Sequence, residues 1–278
     1  MTDHLTWLQA IVLGVSQGLT EFLPISSSAH ELILTRLFHW QDAGAAFTAV
    51  TQIGTESAVI LYFRKDIVSI ISTWAKSFKH AELRKEPEAK MAWYVIVGTL
   101  PIALLGLVFK DQIETTARNL VVVALALIVM GLILGYADIS AKHVKGESDL
   151  SWKSALIFGV GQALALIPGV SRSGATITFG LFMGFKREVA ARYSFLLAIP
   201  AVLASSLLEV KNISSDSYAN WPATIVATAI AFIVGYGVIS GFMNYIQTKS
   251  FKPFVQYRVG LGVLLLILLA TGVVSATS

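Results

Sequence analysis

The chain has 278 residues, 55% of them hydrophobic and only 14% charged, and its mean hydropathy is +0.70. Soluble domains carry about 25% charged residues, so the composition excludes a soluble enzyme, a disordered chain and a nucleic-acid binder. Lipid is the main solvent. The net charge of +4 says less than where its cations fall, and the absence of cysteine removes both disulfides and thiolate chemistry. Met1-Thr2-Asp3-His4 lacks the basic flank of a cleaved signal peptide, and the first Lys or Arg is Arg36. The start is therefore expected to be that of the mature protein.

In chain order, residues 5–39 form an apolar run, a break at Leu23-Pro24-Ile25-Ser26-Ser27-Ser28, and a second apolar run. Stretches 44–63, 92–109 and 119–137 then approach the roughly 20 apolar residues that a membrane span needs. Residues 152–185 repeat the interrupted pattern, with the break at Ile167-Pro168-Gly169-Val170-Ser171-Arg172-Ser173. Three further spans are predicted at 190–208, 222–243 and 255–276. Proline removes a helical donor and clustered serines compete for backbone hydrogen bonds, so both breaks interrupt a helix. Broken backbone at membrane depth is tolerated only inside protein or beside a cavity, which makes the two breaks candidates for a shared interior site.

The halves match each other. At an offset of 145, residues 10–28 align with 155–173 through Ala10/Ala155, Gly14/Gly159, Val15/Val160, Gln17/Gln162, Leu19/Leu164, Ser26/Ser171 and Ser28/Ser173. The expectation is one membrane domain, 1–278, duplicated as repeats 1–140 and 150–278. If each broken region is a re-entrant hairpin followed by three spans, the odd number of crossings inverts the second repeat. Segments 64–91, 138–153, 184–192 and 245–254 then share one side and hold fifteen Lys and Arg, against Lys110, Arg118 and Lys211 on the other. By the positive-inside rule the basic side is cytoplasmic and both termini face outward. The predicted fold is an all-α integral membrane protein: six transmembrane helices and two re-entrant helical hairpins arranged as inverted repeats, with a cavity open to the outer face.

The first break supplies Gln17, Glu21, Ser26, Ser27, Ser28 and His30; Gln17 and Glu21 share a helix face. The second supplies Ser171, Arg172 and Ser173. Two helix N-termini, several hydroxyls and a guanidinium suit an anion, and arginine's fork suits phosphate. An arginine at membrane depth costs about 2.5–3.5 kcal/mol on insertion scales, so Arg172 reads as functional, as does Glu21. The serines read equally well as helix caps, and Ser28 with Glu31 fits a capping box. Glu56 shares a stripe with Thr48 and Gln52 that should face the bundle interior. The charge run at 76–90 reads as a solvated loop. No phosphate-cradling or dinucleotide motif is present, and the five histidines show no zinc spacing.

The stretches GVSQGLTEFLPISSSAH (14–30), GQALALIPGVSRSGATITFGLFMG (161–184) and SFLLAIP (194–200) resemble the signatures of the undecaprenyl-pyrophosphate phosphatase family, also called the bacitracin-resistance family. The likeness covers nearly the whole chain. The family's Glu/Gln-x-x-x-Glu motif matches Gln17 and Glu21, and its Pro-Gly-x-Ser-Arg-Ser-x-x-Thr motif matches Pro168, Gly169, Ser171, Arg172, Ser173 and Thr176. Glu31 and Glu56 stand where the family is usually apolar. The resemblance implies hydrolysis of undecaprenyl diphosphate to the monophosphate carrier for peptidoglycan synthesis, bacitracin resistance, a bacterial cytoplasmic (inner) membrane location, re-entrant hairpins and a divalent cation, usually Mg²⁺. On that basis Arg172, with Ser26, Ser28, Ser171, Ser173 and Thr176, would bind phosphate, and Gln17 and Glu21 would hold the cation. The nucleophile would be Ser27 with His30 as base, His30 itself, or water. A homodimer is left open.

A rival class is a transporter or flippase for an anion or polyprenyl phosphate, since inverted repeats and paired helix N-termini also build transporters. Transport, however, does not call for Glu21, His30 and Arg172 together. Another lipid-phosphatase class needs a histidine soon after its Ser-Arg; here Ser-Gly-Ala-Thr-Ile-Thr follows Arg172, which sets that class aside.

Overall fold

The computed structural model describes residues 5–109, 119–213 and 220–277, without the side chains of 45, 46 and 208–213. Met1–His4, Lys110 and Arg118 lie outside that range, as does the Lys211 side chain. The described chain is helical, with no strand beyond an isolated bridge between Lys145 and Phe185. The helices are α1 (Trp7–Thr20), α2 (Ser27–Leu37), α3 (Gly44–Tyr62), α4 (Arg64–Ser77), α5 (Pro87–Val108), α6 (Leu120–Ser140), α7 (Trp152–Ala163), α8 (Arg172–Phe182), α9 (Arg187–Ile213), α10 (Trp221–Tyr245) and α11 (Lys252–Ala270). Their starts follow from local chemistry. Thr6, Asn119, Ser151 and Asn220 turn side-chain oxygens onto the first free amides of α1, α6, α7 and α10. Pro87 opens α5, where its missing N–H costs nothing.

Five of these helices are long and apolar enough to cross a membrane: α5, α6, Arg187–Leu207 of α9, α10 and α11. The chain is a multi-pass membrane protein. Large apolar side chains on α5, α6 and α10, such as Leu104, Leu107, Val129, Leu132 and Ile233, are exposed on its surface, where lipid tails would meet them. The expected first span, α3, is not among the five, because Thr48, Thr51, Gln52, Thr55 and Glu56 lower its hydropathy. It packs between α9 and α10, with Thr51, Thr55 and Glu56 buried.

Segment 64–91 is not a simple loop. It holds α4 and a short 3₁₀ turn at Ala81–Lys85, both leading into α5. Val68 and Ile71 are exposed on α4 beside its charged residues.

Several glycines permit close approach between helices, among them two that the sequence places in register. A Cβ on Gly14 of α1 would lie 2.6 Å from the Ala227 carbonyl of α10, and one on Gly159 of α7 would collide with the Gly98 carbonyl of α5. Small residues bring backbones together where no hydrophobic drive exists between helices.

The four basic segments are tied together. Arg192 reaches Asp66 at 3.2 Å and Glu147 at 3.0 Å, so 64–91, 138–153 and 184–192 meet. Asp138 accepts from Arg187 at 2.6 Å and from the Phe251 amide at 2.9 Å, joining 245–254 to the same group. The Gly184 carbonyl accepts from Val144 and Lys145, which leaves the end of α8 there as well. A different group of chain ends is joined separately: Asn220 donates to the Leu5 carbonyl, and Leu5 shares a cluster with Ala43, Phe47 and Ala223.

Candidate active site

Each broken segment becomes a helix–turn–helix whose second helix begins at a serine with positive φ. Ser26 (φ 74°) caps α2 and accepts from the Ala29 amide; Ser171 (φ 71°) caps α8 and accepts from the Gly174 amide. Non-glycine residues rarely adopt such φ values, and they persist where the surroundings hold them. The parallel extends to side chains: Ser26 to Ser28 and Ser171 to Ser173 are both 3.2 Å, Oγ to Oγ. Ser28 therefore does not cap α2, and the expected Ser28–Glu31 capping box is absent. Glu31 instead accepts from Thr48 of α3 at 2.7 Å.

The two turns touch. Arg172 Nη2 donates to Glu21 Oε1 at 2.9 Å, and Ser173 Oγ donates to the Leu23 carbonyl at 3.2 Å. Glu21 is the hub. Its Oε2 accepts from Ser27 Oγ at 2.6 Å and from Gln17 Nε2 at 2.9 Å, the second contact fulfilling the shared helix face. Charge-assisted bonds of this length are the strong ones. Arg172 Nη1 is buried without a hydrogen-bond partner, a free donor on the guanidinium that Glu21 holds. Glu56 of α3 is 1% exposed, lies 3.8 Å from Arg172 Nη2, and neither of its oxygens has a hydrogen-bond partner. Of the stripe expected to face the interior, Glu56 is buried and Thr48 and Gln52 are half-buried.

Other expected partners are arranged differently. No hydrogen bond joins Ser27 to His30 among the described residues. His30 Nδ1 bonds the Ser26 carbonyl at 2.7 Å, and Nε2 meets Tyr257 Oη at 2.7 Å with the rings stacked 5.6 Å apart. A carbonyl only accepts, so Nδ1 carries a proton there. Thr176 is fully buried and donates to the Arg172 carbonyl one turn back, bracing the helix that carries the guanidinium.

Two residues escaped the reading of motifs. Arg258 of α11 is fully buried and donates to five backbone carbonyls: Pro24 in the first turn, Gly169 and Val170 in the second, and Ala126 and Leu127 of α6. It ties both turns to one cation. The signal was there, an arginine inside an apolar span, by the same argument that singled out Arg172. Tyr257, its neighbour and the partner of His30, carries no comparable signal.

The donor set suits a hard divalent cation. Carboxylate and amide oxygens are the ligands such ions take, and Glu56, whose oxygens accept no hydrogen bond, approaches the same Arg172 nitrogen that Glu21 holds. Gln17 directs its amide nitrogen at Glu21, so the carboxylates are the better donors here.

Residues 10–264 match the family described as bacitracin resistance protein BacA. Similar curated proteins include undecaprenyl-diphosphatase 2 of Streptomyces coelicolor, 53% identical over 98% of this chain and 97% of its own length. Undecaprenyl-diphosphatase of Thermobifida fusca is 54% identical over 98% and 93%, and that of Mycolicibacterium smegmatis 51% over 98% and 100%. With a match over nearly its full length and the Glu21–Ser27–Arg172 cluster within it, the chain belongs to the bacitracin resistance protein BacA family.

Proposed function

We propose that this protein is a membrane phosphatase that hydrolyses undecaprenyl diphosphate to undecaprenyl phosphate and inorganic phosphate. The observation that carries the chemistry is Glu21, which holds a serine hydroxyl on one oxygen and a guanidinium on the other. Ser27 is the nucleophile: its oxygen bonds the terminal phosphorus as the bridging P–O bond breaks, and its proton passes to Glu21. The lipid monophosphate leaves, taking up that proton. Water then cleaves the serine–phosphate bond, its hydroxyl going to phosphorus and its hydrogen to Ser27. Arg172 turns its free nitrogen to the phosphate oxygens and stabilises charge developing there. Ser26, Ser28, Ser171 and Ser173 line the two turns, Thr176 braces Arg172, and His30 fixes the turn that presents Ser27. A bound Mg²⁺ would be held by Glu21, with Gln17 turning its amide oxygen to it, and would neutralise phosphate oxygens and orient the leaving group.

The two turns are re-entrant hairpins from opposite leaflets, α3 is the sixth span, and the repeats 1–140 and 150–278 are inverted. What supports this is the grouping of the basic segments with the end of α8, and of Leu5 with Ala43 and Asn220. The site then opens to the outer face of the bacterial cytoplasmic membrane, where hydrolysis would recycle the carrier for peptidoglycan and confer bacitracin resistance. Purified protein in detergent with undecaprenyl diphosphate and Mg²⁺ is expected to release phosphate, and Ser27→Ala to abolish release. A quenched reaction should carry phosphate on Ser27. Phosphate on His30 instead would make the histidine the nucleophile, release with phosphate on neither Ser27 nor His30 would assign the attack to water, and flux into proteoliposomes without release would replace the phosphatase by a transporter.

A further inference from the structure

We propose that Glu56 is a ligand of the divalent cation, forming with Glu21 a two-carboxylate pocket beside Arg172. The inference rests on the cation reading above and adds a residue to it. Glu56 sits on α3, outside both serine-bearing turns and remote in sequence from either motif. Its side chain is almost wholly buried, yet both oxygens lack a hydrogen bond, an unfavourable arrangement unless a partner completes it. Among the described residues its one ion-pair partner, Arg172, is at 3.8 Å and gives its hydrogen bond to Glu21 instead.

Charge makes the same case. Glu21 and Glu56 are two carboxyl groups converging on a single guanidinium nitrogen, 2.9 and 3.8 Å from it. With both ionised, one arginine leaves that cluster net negative, which opposes a diphosphate. A divalent cation on the two carboxylates reverses the sign and frees Arg172 for the substrate. Gln17 contributes no charge, so within this cluster the second carboxylate is Glu56.

The test is direct metal binding without substrate. Mn²⁺ is titrated into the purified protein in detergent and the free ion followed by electron paramagnetic resonance. The unmodified protein should bind one Mn²⁺, and Glu56→Gln, nearly equal in shape, should bind it at least about 10-fold more weakly. Adding Gln17→Glu to that variant returns a carboxylate beside Glu21 and should recover affinity, which a misfolded protein would not do. Equal Mn²⁺ affinity in the protein and in Glu56→Gln would overturn the role of Glu56 while leaving the cation reading intact. No Mn²⁺ binding by the unmodified protein would remove the cation reading, and this inference with it.

Discussion

Arg172 commits Nη2 to Glu21 and leaves Nη1 buried and unbonded. That asymmetry makes geometry, not charge alone, the property that matters. Arg172→Lys keeps the charge but loses the fork. It should lower phosphate release by about 100-fold or more, the scale of removing one donor to a developing oxyanion; near-normal release in the detergent assay would refute the role. His30 gives a second, different expectation. Because its nitrogens engage Ser26 and Tyr257, Tyr257→Phe should reduce release only moderately, less than Ser27→Ala, whereas a general-base role for His30 acting through Tyr257 would make the two equal. At this scale the sequence disclosed which residue types lay at the breaks but not their partners. The capping box at Ser28 failed because Ser26, bent to positive φ after Pro24, took the cap two residues earlier, and backbone angles are not written in residue identity.

Among the elements, α11 has the largest hidden role. Its Arg258 satisfies carbonyls from both turns, and among the described residues no backbone amide bonds those carbonyls. Arg258→Met should destabilise the protein by about 3 kcal/mol or more, since a charged donor leaves buried acceptors unpaired. A thermal melt in detergent checks this, and an unchanged midpoint would show that the turns hold without the arginine. Gly159→Val tests packing separately. The branched side chain would force α7 away from α5, which should cost about 1–3 kcal/mol and lower the melting midpoint, whereas the same change at Gly237, where nothing lies within 4 Å of a Cβ, should be mild. Periodicity and apolar length predicted α5, α6, α9, α10 and α11 to within a few residues at most ends. The α4 helix was missed because its charges resemble a solvated run, and its amphipathic face shows only once the chain is wound into a helix.

For the molecule as a whole, sidedness is the quantity to test, and a chain without cysteine is well suited to it. Single cysteines at His80, in the basic group, and at Trp221, near the Leu5–Asn220 group, should react with a membrane-impermeant thiol reagent from opposite sides in intact cells. Labelling of both from outside would remove the inverted arrangement. By itself the sequence determined that lipid is the solvent, where the helices break, and which segments gather on one side, because hydropathy, proline and serine, and loop cations all act locally or statistically. The tertiary structure alone decided that Glu21 meets Arg172 across 151 positions and that Arg258 joins both turns. Those pairings depend on how helices pack, and the acceptors of Arg258 are backbone carbonyls, which every residue possesses and no sequence marks.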